Sequence, residues 1–388
     1  MKTVVLFNSY DYGSTGTLCT SLKNYLKERG IKIFFIVGNK KRSGSGDFYL
    51  TDSTCKLFRF LLIKKNAIFG NSTLDLSKYI TNKVIRFLKS KIDFQKEEVI
   101  FHFHNMQYSF MSTKRLIKFA ENNNVKTVLT MHDCWPITGG CNYFTKNNCD
   151  KWEKANQNCK KCNYSHRNAK RELLLKEKMF RNTCIISPSN WLDNLVDKSI
   201  LNKCNHIVIN NGIDTSFWNY NLADKQSNTV NLISVASPWD ERKGLSYLNK
   251  IAEIMPENFK LTVVGLQDDQ STNRRINRFG KIEREQLKEL YSKSHFFVNP
   301  SLEDNFPTVN IEALLCGLFV CSFDTGGSKE IFDNETGYVT KEKEASELLD
   351  AIIKTKISET LFSKCRQRGL SFGMDEYCNK HFNLYNKI

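Results

Sequence analysis

Short apolar runs rich in Val, Ile, Leu and Phe recur along the chain, separated by longer stretches with helical spacing. Residues 3–8, 31–37, 98–103, 125–131, 183–187 and 205–209 read as strands in the first half, and 230–236, 260–265, 295–299 and 318–323 in the second. Between several of them lie amphipathic segments, among them Thr17–Arg29, Thr113–Asn122, 243–254, 283–293 and 308–316, where apolar side chains return every three or four positions. Such alternation specifies a parallel sheet covered by helices on both faces. It breaks once, at Asn210-Asn211-Gly212-Ile213-Asp214 and the polar stretch that runs to Thr229, and then resumes. The pattern therefore predicts two Rossmann-like α/β domains, 1–212 and 213–372, with a last helix over 373–388 packing back on the first. Ligands of such sheets sit outside the carboxyl ends of the strands, so the cleft between the domains is the expected site.

Composition narrows the class. The 388 residues, 40% hydrophobic and 25% charged with only 6 Pro, suit an ordinary globular protein with two sizeable cores. No run of about 18 uncharged apolar residues is present, so no transmembrane helix is expected. Met1–Asn8 goes straight into a short apolar run, which reads as a first strand and not a signal peptide; a cytoplasmic location is expected. Charge is uneven. Residues 1–215 hold 35 Lys and Arg against 17 Asp and Glu, an excess of +18, whereas the remainder nets −2. That asymmetry points to an acidic partner for the first half: nucleic acid, an anionic membrane surface or a phosphate-bearing substrate.

The segment from Pro300 to Gly317, PSLEDNFPTVNIEALLCG, carries the most chemistry. A strand ends, a loop follows and a helix begins near Thr308, so unpaired N–H groups over 306–309 form a seat for phosphate. Asp304 lies before that seat and Glu312 about one turn inside the helix, where carboxylates suit sugar or ribose hydroxyls. On this segment alone, a capping Asp304 and a solvated Glu312 explain the pattern as well. Upstream, strand 230–236 leads into Trp239-Asp240-Glu241-Arg242-Lys243-Gly244. Basic groups at a helix start are disfavoured unless an anion is bound there.

Together these segments resemble the signature of the group 1 glycosyltransferases, retaining enzymes of the GT-B fold: an acidic residue, seven residues, then Glu-Ala-x-x-x-Gly. The resemblance covers residues 230–340, including Gly265, Tyr291, Ser294 and Gly326-Gly327-Ser328-Lys329-Glu330. It implies that Asp304 contacts the donor sugar, that Glu312 holds the ribose and that Lys243 faces the diphosphate. Arg242, Glu303, Asn305, Phe306, Pro307, Thr308 and Gly327 are the other donor-side expectations. The chain departs from the common form twice: Asp304 replaces Glu, with Glu303 beside it to share the role, and Ser237 stands where an Arg is usual.

In the first half, the loop Asn8–Gly16 with Gly13 and Gly16 resembles the family's first loop, close to donor phosphate and acceptor. His104 and Asn105 end one strand and His132 ends the next; by resemblance His132 contacts the transferred sugar, with His104 and Asn105 on the acceptor side. His102 shares a face with His104 and reads as packed. An insert over 134–165 carries Cys141, Cys149, Cys159 and Cys162. Four soft thiolates suit a structural zinc; disulfides, disfavoured in the cytoplasm, and open thiols are the alternatives. Inserts of this kind resemble a bacterial subgroup building capsule or O-antigen chains. Two runs mixing apolar and basic residues, 56–65 and 78–91, read as covering helices or as interfacial helices attracted to anionic lipid.

The reading implied is a retaining, peripheral hexosyltransferase that moves sugar from a nucleotide-sugar donor to a glycan or polyprenyl-diphosphate-linked acceptor. It needs no catalytic cofactor. The competing readings are a zinc-knuckle nucleic-acid-binding protein, which leaves 230–340 unexplained, and a GT-B sugar-nucleotide epimerase or an inactive binder.

Overall fold

Val4, Val5, Leu6 and Phe7 are all fully buried, yet successive residues serve different cores. Val4 and Leu6 join Leu18, Leu22 and Leu26, whereas Val5 and Phe7 join Phe101, Phe103 and Ile185. A strand whose side chains alternate between two apolar layers must lie inside a sheet covered on both faces. The computed structural model describes residues 1–39, 45–50, 76–106, 111–145, 149, 152, 169–270 and 272–388. Cys159, Cys162 and the run 56–65, with Lys64 and Lys65, lie outside the described residues.

The first sheet comprises β1 (Lys2–Tyr10), β2 (Lys32–Asn39), β3 (Phe48–Tyr49), β4 (Glu98–Phe103), β5 (Lys126–Thr130), β6 (Thr183–Ser187) and β7 (His206–Val208). The second comprises β8 (Val230–Val235), β9 (Phe259–Val264), β10 (Ile276–Phe279), β11 (Phe296–Asn299), β12 (Phe319–Phe323) and β13 (Gly337–Thr340). Their orders are β3-β2-β1-β4-β5-β6-β7 and β10-β9-β8-β11-β12-β13, and every pairing is parallel. The chain switches direction across each sheet between β1 and β4 and between β8 and β11. Crevices outside the carboxyl ends form at those points.

Each strand read from the sequence has a counterpart. Three edge strands, β3, β10 and β13, are new. The basic segment 78–91 falls in the helix Leu76–Lys91, whose Ile80, Val84 and Leu88 are buried against the first sheet. No helix among the described residues is long and apolar enough to cross a membrane.

The lobes exchange chain once more near the end. Ile213 donates its N–H to Phe372 O at 2.9 Å and accepts from Met374 N at 2.9 Å. The helix Met374–Lys387 then lies on the helix Gly13–Glu28 and puts Tyr377, Cys378, Leu384 and Tyr385 into the first lobe's core.

Lys225, 4% exposed, sits between the rings of Tyr220 and Phe362, each 5.2 Å from its Nζ. It donates to Tyr291 O and Ser294 O. Burial lowers its ammonium from 10.5 to about 7. Between those values the unfolded chain holds a proton that the folded chain lacks, so stability rises with pH, by at most ~1.4 kcal/mol per pH unit. Denaturant unfolding of wild type and Lys225→Met between pH 6 and pH 10 tests this. Relative to the variant, the wild type should gain stability above about pH 7 and show a constant difference below it.

Candidate active site

The donor-side loop between β11 and the helix Thr308–Leu315 is tied at its base. Asn299 Nδ2 donates to Asn310 Oδ1 at 2.8 Å, and Ser301 N donates to Asn299 Oδ1 at 3.2 Å. Pro307 caps the helix start with no side-chain hydrogen bond, and its first turn holds no acidic residue. Phe306 turns inward onto Phe372 at 5.8 Å. Thr308 is half-buried at the helix start.

Lys243 arrives from the other side of the switch point. It ends a short 3-10 turn, Glu241–Lys243, capped by the Asp240 side chain. Gly244 follows with φ +76°, and a Cβ there would meet Pro300 O at 2.1 Å. Only glycine lets this turn press against the end of β11. Lys243 Nζ consequently lies 2.5 Å from Asp304 Oδ2. Arg242 is engaged elsewhere: it donates to Glu303 O at 3.0 Å and lies 4.3 Å above the Tyr143 ring.

Glu312 is half-buried one turn into the helix, and among the described residues its carboxylate makes no hydrogen bond. Burial pushes its carboxyl up to about 8, opposed by the Arg284 guanidinium.

Three consecutive residues leave the loop in three directions. Glu303 Oε1 accepts from Phe144 N, Thr145 N and Thr145 Oγ1, each at 2.6 Å, all in the first lobe. Asp304 takes Lys243. Asn305 Nδ2 donates to His132 O at 2.8 Å. Glu303 and Asn305, expected at the donor, thus join the lobes with these atoms. Gly327 lies beneath: a Cβ there would meet Asn305 O at 2.4 Å and Ser189 Cβ at 2.6 Å. Glu330, three residues on, accepts from Asn190 N, Asn190 Nδ2 and Trp191 N at 2.7–2.9 Å, holding the start of the first lobe's helix Asn190–Asp197.

On the first lobe, Gly13 and Gly16 open the helix after β1, and Gly16 lies against the Asp11 backbone. Asn105 is locked to the same loop by Ser9 N→Asn105 O at 2.9 Å and Asn105 N→Asn8 Oδ1 at 3.1 Å. A file of imidazoles runs inward from the cleft. His132 Nε2 and His104 Nδ1 are 3.0 Å apart, the rings of His104 and His102 are 4.2 Å apart, and His381 stacks on His102 at 5.5 Å. Burial keeps them neutral: it lowers His132 and His381 to about 4 and the other two well below the ordinary range. His381 and Tyr385, which bonds His102 Nδ1, come from the final helix, and nothing in the sequence announced them.

The insert is held at its start. Buried Lys176 donates to Trp135 O at 2.6 Å and Thr138 O at 2.9 Å and lies 3.9 Å from the Trp135 ring. Cys141 and Cys149 are half-buried; burial raises the thiol of Cys134 well above its usual range, which makes it a poor thiolate. Among the described residues, no three His, Cys, Asp or Glu side chains cluster closely enough to hold a metal.

Residues 223–371 match the family model described as Glycosyl transferases group 1. Putative colanic acid biosynthesis glycosyl transferase WcaC of Escherichia coli (strain K12) is 24% identical over 315 residues, 74% of this chain and 76% of that protein. Putative teichuronic acid biosynthesis glycosyltransferase TuaC of Bacillus subtilis (strain 168) is 29% identical over 114 residues, 29% of each. Sucrose-phosphate synthase from Thermosynechococcus elongatus superposes with a TM-score of 0.70 at 16% identity, over 100% of this chain and 99% of that one. Anabaena Alr3699/HepE in complex with UDP gives 0.68 at 15% identity over 100% of both. The chain has the GT-B fold, and its residues 223–371 match the model of the group 1 glycosyltransferases.

Proposed function

We propose that the protein transfers a sugar, with retention at the anomeric carbon, from a nucleotide-sugar donor in the second lobe to a glycan or lipid-diphosphate-linked acceptor at the first. The observation that carries this is the convergence of Lys243, Asp304, the start of the helix Thr308–Leu315, which has no side-chain cap, and the Glu312 carboxyl, which makes no hydrogen bond among the described residues. A cation and a helix start suit a diphosphate; the two carboxylates suit hydroxyls. Anabaena HepE, of the same fold, has been solved with UDP and with UDP-glucose, which supports the donor class. A role in surface polysaccharide synthesis draws support from relatives named for colanic acid and teichuronic acid biosynthesis. The basic first half suits an acceptor that bears phosphate or sits at an anionic membrane face.

In this reading the arriving diphosphate draws Lys243 away from Asp304, which then turns to the sugar. An oxygen of the leaving diphosphate takes the acceptor proton on the front face, so the protein's work is positioning and charge stabilisation. Thermal-shift screening with UDP, GDP, ADP and CMP identifies the nucleotide: at 100 times its dissociation constant it should add roughly 2.7 kcal/mol. Release of free nucleotide only when acceptor is present separates transfer from epimerisation.

Lys243→Ala should fold normally and lose turnover about a hundredfold, because removing one such contact costs on the order of 3 kcal/mol of barrier. Unchanged turnover would remove Lys243 from the donor site.

For the insert, we infer one structural zinc on Cys141, Cys149, Cys159 and Cys162; the four soft donors match that ion. Metal analysis of protein purified without chelator should find one zinc per chain. Cys149→Ser should lose the metal and lower the melting temperature. A metal-free, folded and active preparation rejects the site.

A further inference from the structure

His104 and His132 share one short contact, 3.0 Å between Nδ1 and Nε2, and two neutral imidazoles can place only one proton in it. Which ring supplies that proton decides what His132 offers the cleft. The remaining nitrogen of His104, Nε2, is fully buried and has no hydrogen-bond partner among the described residues. If His104 accepted from His132, its own proton would sit on Nε2 as a buried N–H with nothing to receive it. Buried N–H groups without an acceptor are uncommon and costly. With the proton on Nδ1, the buried nitrogen carries only a lone pair, and the donor is satisfied.

The surrounding groups accommodate this arrangement. His381 Nδ1 faces Tyr377 O at 2.8 Å, and a carbonyl only accepts, so His381 carries its proton there and supplies none to the file. His102 lies between the hydroxyls of Tyr385 and Thr130, which rotate to suit either tautomer. His132 is half-buried, and its Nδ1 makes no hydrogen bond among the described residues.

We propose that His104 donates its Nδ1–H to His132 Nε2 and thereby fixes His132 as the Nδ1–H tautomer, a hydrogen-bond donor to the cleft and not a base. His104 is a positioning residue. What His132 meets is an acceptor oxygen, a sugar hydroxyl or a phosphate oxygen; that consequence rests on the transferase reading, whereas the tautomer does not. It also follows that His132 does not take the acceptor's proton, which leaves that task to the donor's own leaving group.

Protein labelled with 15N-histidine tests the tautomer directly at pH 7.5, with the His132 signals assigned by their loss in His132→Gln. His132 should show a pyrrole-type Nδ1 and a pyridine-type Nε2; the reverse pattern overturns the proposal. Two variants extend it. His104→Asn keeps an N–H near the Nδ1 position and should retain the His132 pattern, whereas His104→Leu should release it toward a mixture of tautomers. With UDP-glucose as probe, the Leu variant should bind about five- to tenfold more weakly, the loss expected of one hydrogen bond, and the Asn variant should recover, while UDP alone binds all three alike. If His104→Leu fails to fold, the wild-type spectrum still decides. Wild-type protein that binds neither probe contradicts a UDP-glucose donor, and the nitrogen spectrum alone then upholds or overturns the role of His104.

Discussion

Everything at the cleft hangs on the carboxylate of Glu303. A buried charge is costly unless hydrogen bonds surround it, and among the described residues of the first lobe this one collects three at 2.6 Å. Bonds to a charged acceptor contribute roughly 1.5–3 kcal/mol each, so the lobe contact is strong, local and directional. Because the backbone continues from it without slack, the same anchor sets Asp304 against Lys243 and Asn305 against His132 O. The cation over Tyr143 reinforces it, as Arg242 touches the insert with its face and Glu303 O with its edge. Donor loop, cationic turn and cleft histidine are therefore registered to one another through a single peptide segment.

A second theme is the management of buried protons. Lys176 and Lys225 each donate to two carbonyl oxygens, and burial lowers each ammonium to about 7. Each lysine serves as a clip between turns, and burial favours its neutral form. Lys176 clips the first turn of the insert; Lys225 clips the end of the helix Arg284–Ser292 to β11.

The sheets were legible because their strands are apolar runs with enough length to stand out. The three strands that escaped are edges: Phe48–Tyr49 has two residues, Ile276–Phe279 is largely exposed, and Gly337–Thr340 begins on a glycine. At the site, Asp304 and Glu312 could be read because local spacing carries the pattern. The destinations of Glu303 and Glu330 could not, since their partners lie 159 and 140 residues away. Nothing near His381 hinted that it would complete a stack begun at His102. Long-range pairing leaves no periodicity to read, and the side chains that join the lobes are the ones whose roles the sequence hid.

The return of the chain at Gly373 carries a consequence for how the protein is made. The first lobe's sheet emerges from the ribosome first, but one of its two apolar faces stays incomplete until Tyr377, Cys378, Leu384 and Tyr385 arrive in the final helix. Order of synthesis and order of completion are therefore reversed. The second lobe, whose core draws only on residues 213–372, closes while the first is still waiting for its last segment. During that interval the nascent chain exposes a strip of Val, Leu and Ile along β1 and β4, the kind of surface that chaperones recognise. A chain cut after Gly373 would lose part of the core of the half furthest from the cut in sequence.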